Sequence, residues 1–138
     1  MSVPPRVFDI IITGHSALPC ALLDTAEMIC GKQAGVRAIS LRADMSPESY
    51  TATLRAAITL DRPTLILCDL AGGTPFNEAL SLARQSNLLV IMAGVNLAMA
   101  LEALLSTGAL DEALVERLLA AGREGVVEAA RMRIGRNL

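Results

Sequence analysis

The chain contains one histidine, His15, at the end of the apolar run Phe8-Asp9-Ile10-Ile11-Ile12-Thr13-Gly14. Imidazole has the side-chain pKa nearest neutrality, so it can act there as nucleophile or base without a large shift. A second chemically capable residue, Asp69, closes another apolar run, Thr64-Leu65-Ile66-Leu67-Cys68. A carboxylate beside an imidazole fixes its tautomer, holds the ring and stabilises positive charge, leaving the opposite ring nitrogen to attack or take a proton. Small residues follow both runs, Gly14-His15-Ser16 in one place and Gly72-Gly73-Thr74 in the other. Where such turns open helices, free amides and the helix dipole favour an anion, which suits a phosphoryl group. Taken singly, the residues have plainer roles: a hydrogen-bonded histidine at a helix start, a turn aspartate, an ordinary glycine loop. Ser16 and Thr13 lie close, but nothing in their spacing makes either a nucleophile, and no dinucleotide motif accompanies them.

The elements that must bring His15 and Asp69 together follow from the pattern of apolar residues. Strands are predicted over Val7 to Thr13, Val36 to Leu41, Thr64 to Cys68 and Leu88 to Ala93. Ser16 and Pro19 combine a capping hydroxyl with a first-turn proline. In the helix that follows, Leu18, Leu22, Ala26 and Ile29 form the inward stripe, Asp24 and Glu27 face outward and Gly31 is the stop. Ser46-Pro47-Glu48-Ser49 opens a second helix carrying Tyr50, Leu54, Ala57 and Ile58, which Asp61-Arg62-Pro63 breaks. Pro75 introduces a third over about Phe76 to Gln85; Leu97 to Thr107 and Leu110 to Ala121 supply two more. Beyond Gly122, Val126-Val127 and Met132-Arg133-Ile134 fit either a continued helix or an added edge strand.

Alternation of this regularity predicts an α/β fold: an open, mostly parallel sheet with right-handed crossovers and helices on both faces. The expected strand order starts 2-1-3-4. Winding then reverses between strands 1 and 3, and the crevice lies at their carboxyl ends, which carry His15 and Asp69.

Composition narrows the function classes. A chain of 138 residues, 53% hydrophobic and 19% charged, makes one domain able to bury a core. A net charge of -2 with 2% aromatic residues leaves neither a basic stripe nor a stacking platform, so no nucleic acid partner is expected. There is no apolar run of about 18 residues, and Asp9 interrupts the stretch near the start; neither a membrane span nor a secretory signal is expected, and the chain reads as cytoplasmic. Cys20, Cys30 and Cys68 are odd in number and lack Cys-x-x-Cys spacing, and one histidine cannot complete a Cys/His site. They read as reduced core thiols, with no metal or cofactor.

These residues carry a resemblance. Gly14-His15 after the first strand, the Leu22 to Met28 helix segment, the run Asp69-Leu70-Ala71-Gly72-Gly73-Thr74-Pro75-Phe76-Asn77 and the loop Gly94-Val95-Asn96-Leu97 are similar to the IIA component of the mannose-type sugar phosphotransferase system. The match runs from about Val7 to Gly125, within a single IIA domain over residues 1–138, and its most specific part is the Asp69 to Asn77 run. Ala71 departs from the pattern, where many members carry an aromatic residue, which bears on partner contact more than on chemistry.

The resemblance implies a phosphocarrier, a phosphotransferase component that needs no cofactor. His15 would accept a phosphoryl group from phosphorylated HPr on its Nε2 and pass it to a IIB component. Asp69 would orient the ring, with Gly14, Ser16, Gly72, Gly73 and Thr74 as phosphate-binding support. It also implies a homodimer exchanging an antiparallel C-terminal edge strand, here residues 126–138, and membrane association only through IIB. Three other readings stay open at this stage: the phosphoryl-transfer subunit of dihydroxyacetone kinase, a regulatory module read by its phosphorylation state, and a histidine-aspartate enzyme acting on a small molecule. The sugar is not legible, because a IIA domain touches proteins and not the carbohydrate.

Overall fold

A computed structural model describes residues 5–130. Four parallel strands, β1 (Asp9–His15), β2 (Val36–Leu41), β3 (Thr64–Cys68) and β4 (Leu89–Ala93), form one sheet in the order β2-β1-β3-β4. The expected order is therefore the observed one. Five helices cover it: α1 (Leu18–Cys30), α2 (Pro47–Ala57), α3 (Thr74–Ala83), α4 (Leu97–Leu105) and α5 (Glu112–Glu124).

The two-residue period of the strands divides the core between the faces of the sheet. Ile10 and Ile12 of β1 with Leu65 and Leu67 of β3 point to one side, where they pack with Ala26, Met99, Ala103, Leu114 and Leu118. Ile11, Ile66 and Cys68 point to the other and meet Tyr50, Leu54, Ala79 and Leu82. The central strands are buried along almost their whole length, as strands covered on both faces must be. A rigid floor thus holds the two carboxyl-terminal ends where His15 and Asp69 sit.

Several boundaries differ from expectation, each for a nonlocal reason. β1 begins and ends two residues late, because Val7 N–H is taken by Gly108 while pairing to β2 continues as far as His15 opposite Leu41. His15 is therefore the last residue of a strand, not the first of a loop. Helix α3 starts at Thr74 with Pro75 second, and α5 starts at Glu112, where Asp111 caps it through Leu114 N–H. On α1 the inward stripe is Pro19, Leu22, Leu23, Ala26 and Cys30. Leu18 and Ile29, expected inside, are 48% and 56% exposed.

Of the three cysteines, only Cys68 is core; Cys20 is exposed and Cys30 half-buried, against the expectation of three core thiols. No helix among the described residues is long and apolar enough to cross a membrane. The edge-strand expectation over 126–138 falls mostly outside the described residues: Val126 and Val127 follow α5 exposed and outside any regular element, 129–130 are helical and not extended, and 131–138 are not described.

Candidate functional site

Adjacent parallel strands put His15 and Asp69 side by side, and the hydrogen bonds then fix the ring. Nδ1 of His15 lies 2.7 Å from Oδ2 of Asp69, and the same oxygen accepts the His15 backbone N–H at 2.9 Å. The other oxygen, Oδ1, accepts the Leu70 N–H at 2.8 Å. A carboxylate can only accept, so Nδ1 carries the proton and the lone pair of the neutral ring is at Nε2. The Asp69 side chain is 7% exposed while that of His15 is 47% exposed, which places an anchored base beneath an accessible ring. Burial pushes the Asp69 carboxyl up, but the hydrogen bonds from His15 and Leu70 outweigh it and hold the pKa below its ordinary value. Asp69 is a permanent acceptor at neutral pH.

Glycine spacing makes room for this contact. A β-carbon on Gly14 would lie 2.6 Å from Cγ of Asp69. One on Gly73 would lie 3.1 Å from Cε1 and 3.6 Å from Nε2 of His15, so the N-terminal end of α3 borders the reactive edge of the ring. Gly73 is the N-cap of α3 and no side chain caps that helix; α1, with Ala17 as N-cap, is likewise without a side-chain cap. The contrast is with α2, α4 and α5, whose first turns are closed by Ser46, Asn96 and Asp111. The helix ends left open flank the histidine. Among the described residues, no carbonyl takes the N–H of Gly72 or Thr74, while Gly73 closes the turn over Ala71 and Gly72. Free amides at a positive helix end suit an anion. Asn77 holds this turn in shape: its Nδ2 donates to the Gly72 carbonyl at 3.2 Å and its backbone N–H to Gly73 at 2.9 Å.

The amides at the other turn have different work. Ser16 sits at φ 56°, and its N–H goes to the Leu41 carbonyl at 2.8 Å instead of facing outward. Its side chain does not cap α1, contrary to the capping role expected of it. Gly14 serves by lacking a side chain. Beneath the site, the Thr13 hydroxyl donates to the Ile39 carbonyl at 2.7 Å and so receives the hydrogen bond of the Tyr50 hydroxyl. This buried pair ties β1, β2 and α2 together two residues before the histidine. Burial pushes the Tyr50 phenol up to about 12. Burial, with Asp69 next in line, likewise pushes the Cys68 thiol up to about 12, which makes it packing and not a nucleophile.

Sequence reading brought His15, Asp69, Gly14, Ser16, Gly72, Gly73 and Thr74 to one end of the sheet, and the structure finds all of them there. It passed over Thr13 with Tyr50, whose link spans distant segments, and the holding role of Asn77, for which the regular spacing to Gly72-Gly73 was the available signal. Among the described residues, no group of three or more histidine, cysteine or acidic side chains is placed to hold a metal ion.

A family model described as the PTS system fructose IIA component, EIIA-man, matches residues 9–120. The chain belongs to this IIA family. Among its relatives is the mannose-specific EIIAB component of Escherichia coli K12, 36% identical over 124 residues that cover 85% of this IIA chain and 38% of the relative. The chain thus spans well under half the length of that protein. The fructose-specific EIIA component of Bacillus subtilis is 32% identical over 102 residues, covering 71% of this chain and 69% of the relative. Among solved structures, the phosphotransferase system component EIIA of Streptococcus agalactiae superposes with a TM-score of 0.84 at 31% identity, covering 90% of this chain and 98% of that one. The mannose/sorbose-specific IIA subunit of Enterococcus faecalis gives 0.83 at 31% identity, with 91% and 94% covered. The open parallel sheet of this IIA chain is the fold these neighbours share.

Proposed function

We propose that this chain is a cytoplasmic phosphocarrier of a sugar phosphotransferase system. In this reading, Nε2 of His15 accepts the phosphoryl group of phosphorylated HPr and passes it to a IIB component. The observation that carries the reading is the orientation of His15: Nδ1 bonded to Asp69 at 2.7 Å, with the Nε2 edge of the ring beside Gly73 at the uncapped start of α3. The relatives support the partner class: the E. coli protein is named as a combined IIA and IIB component.

The transfer exchanges one nitrogen–phosphorus bond for another. Nε2 attacks phosphorus as the bond to the donor imidazole breaks, and that imidazole, protonated on its other nitrogen, leaves neutral. The Nδ1 proton stays on His15, where Asp69 stabilises the positive charge the ring acquires. Positioning and preorganised donors do the remaining work, with the Gly72 and Thr74 amides facing the phosphoryl oxygens. The donor and product are both phosphohistidines, so the step is close to balanced and the group can move on to IIB.

The working form in this proposal is a homodimer, in which the tail over 126–138, helical at 129–130 in the single chain, opens to pair as an exchanged antiparallel edge strand. The supporting feature is the open sheet: its end strands, β2 and β4, each have one neighbour among the described residues. Association with a membrane occurs only through IIB.

The test is to incubate the purified chain with HPr, its phosphorylating enzyme and phosphoenolpyruvate, then read the intact mass. The parent should gain one phosphate and His15→Ala none, with both folded. A parent that takes up no phosphate, or a His15→Ala variant that does, would overturn the reading.

A further inference from the structure

The site around His15 is short of positive charge. A transferring phosphoryl group brings about two negative charges and Asp69 adds one, against which stand the ring and a helix dipole. The β2 side of the site holds a cation, Arg42.

β1 and β2 stay in register to their last residues, with His15 opposite Leu41. The Ser16 N–H bond to the Leu41 carbonyl locks that end of the pair. Arg42 is the next residue. It begins a tight turn closed by Met45 N–H donating to the Arg42 carbonyl at 3.0 Å and Arg42 N–H reaching Met45 Sδ at 3.4 Å. The backbone of Arg42 is therefore fixed relative to the histidine although its side chain is 68% exposed. His15 and Arg42 line one open cavity of about 290 Å³, together with Ser16, Leu41, Ala43 and Met45. Arg42 also lines the neighbouring cavity of about 720 Å³, shared with Ser16 and Cys20, and is the one arginine or lysine lining either. Its only ion-pair partner among the described residues is Asp44, at 3.7 Å and 83% exposed, a surface contact worth little and easily exchanged.

We propose that Arg42 is a phosphoryl-binding residue, closing the site from the β2 side while the α3 amides hold it from the β3 side. The inference rests on His15 as phosphoryl acceptor. As the donor's nitrogen–phosphorus bond breaks and the bond to Nε2 forms, the guanidinium leaves Asp44 and donates hydrogen bonds to phosphoryl oxygens. It neither gives up nor takes a proton. Planar, permanently charged guanidinium fits that contact better than an ammonium.

Two donors separate contact with the phosphoryl group from contact with a partner protein: phosphorylated HPr and the small molecule phosphoramidate. Arg42→Gln should accept phosphate on His15 from both, but roughly 10- to 100-fold more slowly, the worth of one charge-assisted hydrogen bond. Arg42→Lys should fall between the two, and Asp44→Asn should match or exceed the parent. Parental rates in Arg42→Gln with both donors would overturn the proposal, as would slowing with HPr alone, which would make Arg42 a docking residue. Both results leave His15 as acceptor intact; a parent that takes phosphate from neither donor ends both readings.

Discussion

The nearest atom to a side chain at Gly14 would be Cγ of Asp69, at 2.6 Å. The absence of that side chain is what lets the carboxylate of the residue after β3 reach the last residue of β1. Gly14→Ala should therefore push Asp69 off its hydrogen bonds to His15. We expect a folded protein destabilised by about 1–3 kcal/mol, in the range of overpacking elsewhere, and slowed at least tenfold in phosphate acceptance. Thermal unfolding and stopped-time mass spectrometry check the two effects. A variant with parental transfer would show that the approach is not needed for chemistry.

Replacing Asp69 by Asn keeps the shape but offers Nδ1 an amide that can also donate. The ring is then free to adopt the other tautomer, with the lone pair turned away from the incoming phosphorus. Transfer should fall by about 10²–10⁴-fold, the range in which loss of an orienting aspartate acts at other histidine sites. Rapid-quench kinetics within about threefold of the parent would make Asp69 only a turn residue.

The same carboxylate ties stability to pH. Its folded pKa is lowered, since the hydrogen bonds from His15 and Leu70 overcome the cost of burial. Its contribution is therefore complete above the ordinary carboxylate pKa of about 3.9 and is lost as pH falls through the lowered folded value. The Tm gap between the parent and Asp69→Asn should be steady at neutral pH and close under acid. A gap that widens on acidification would contradict the assignment.

Tyr50 is the only tyrosine in the chain, so its titration can be read cleanly by ultraviolet absorbance. Burial raises its phenol to about 12, and the folded protein should show no phenolate near the ordinary value of about 10. Tyr50→Phe removes the hydrogen bond to Thr13 and should cost about 1 kcal/mol, a Tm drop of about 3 °C, with phosphate acceptance little changed. Titration near 10 in the folded state would contradict the burial of this hydroxyl.

The pairing of His15 with Asp69 was readable because each closes an apolar run with the composition of a fully covered strand. Two such strands at the switch point leave little choice of neighbour. Local signals did less well where a distant group competed. Ser16 has the chemistry of a cap, yet the carbonyl of Leu41 takes its N–H and holds it in the left-handed region. Leu18 and Ile29 repeat at helical spacing, but the side of α1 that packs is decided by α4 and β1, and both stand outside the stripe. The Tyr50–Thr13 bond joins α2 to β1 and has no signature in either segment. Arg42 resembles any loop arginine until the β1–β2 register, which pairs Leu41 with His15, brings it to line the same cavity as the histidine.

The central claim is that His15 carries phosphate on Nε2, and nitrogen-15 NMR of the labelled, phosphorylated protein tests it most directly. The two ring nitrogens separate by their shifts and by coupling to phosphorus. The geometry predicts phosphorus coupled to Nε2, with Nδ1 still protonated and bonded to Asp69. Phosphorus on Nδ1 would contradict it, because that nitrogen lies 2.7 Å from a carboxylate oxygen and could react only after the His15–Asp69 pair had come apart.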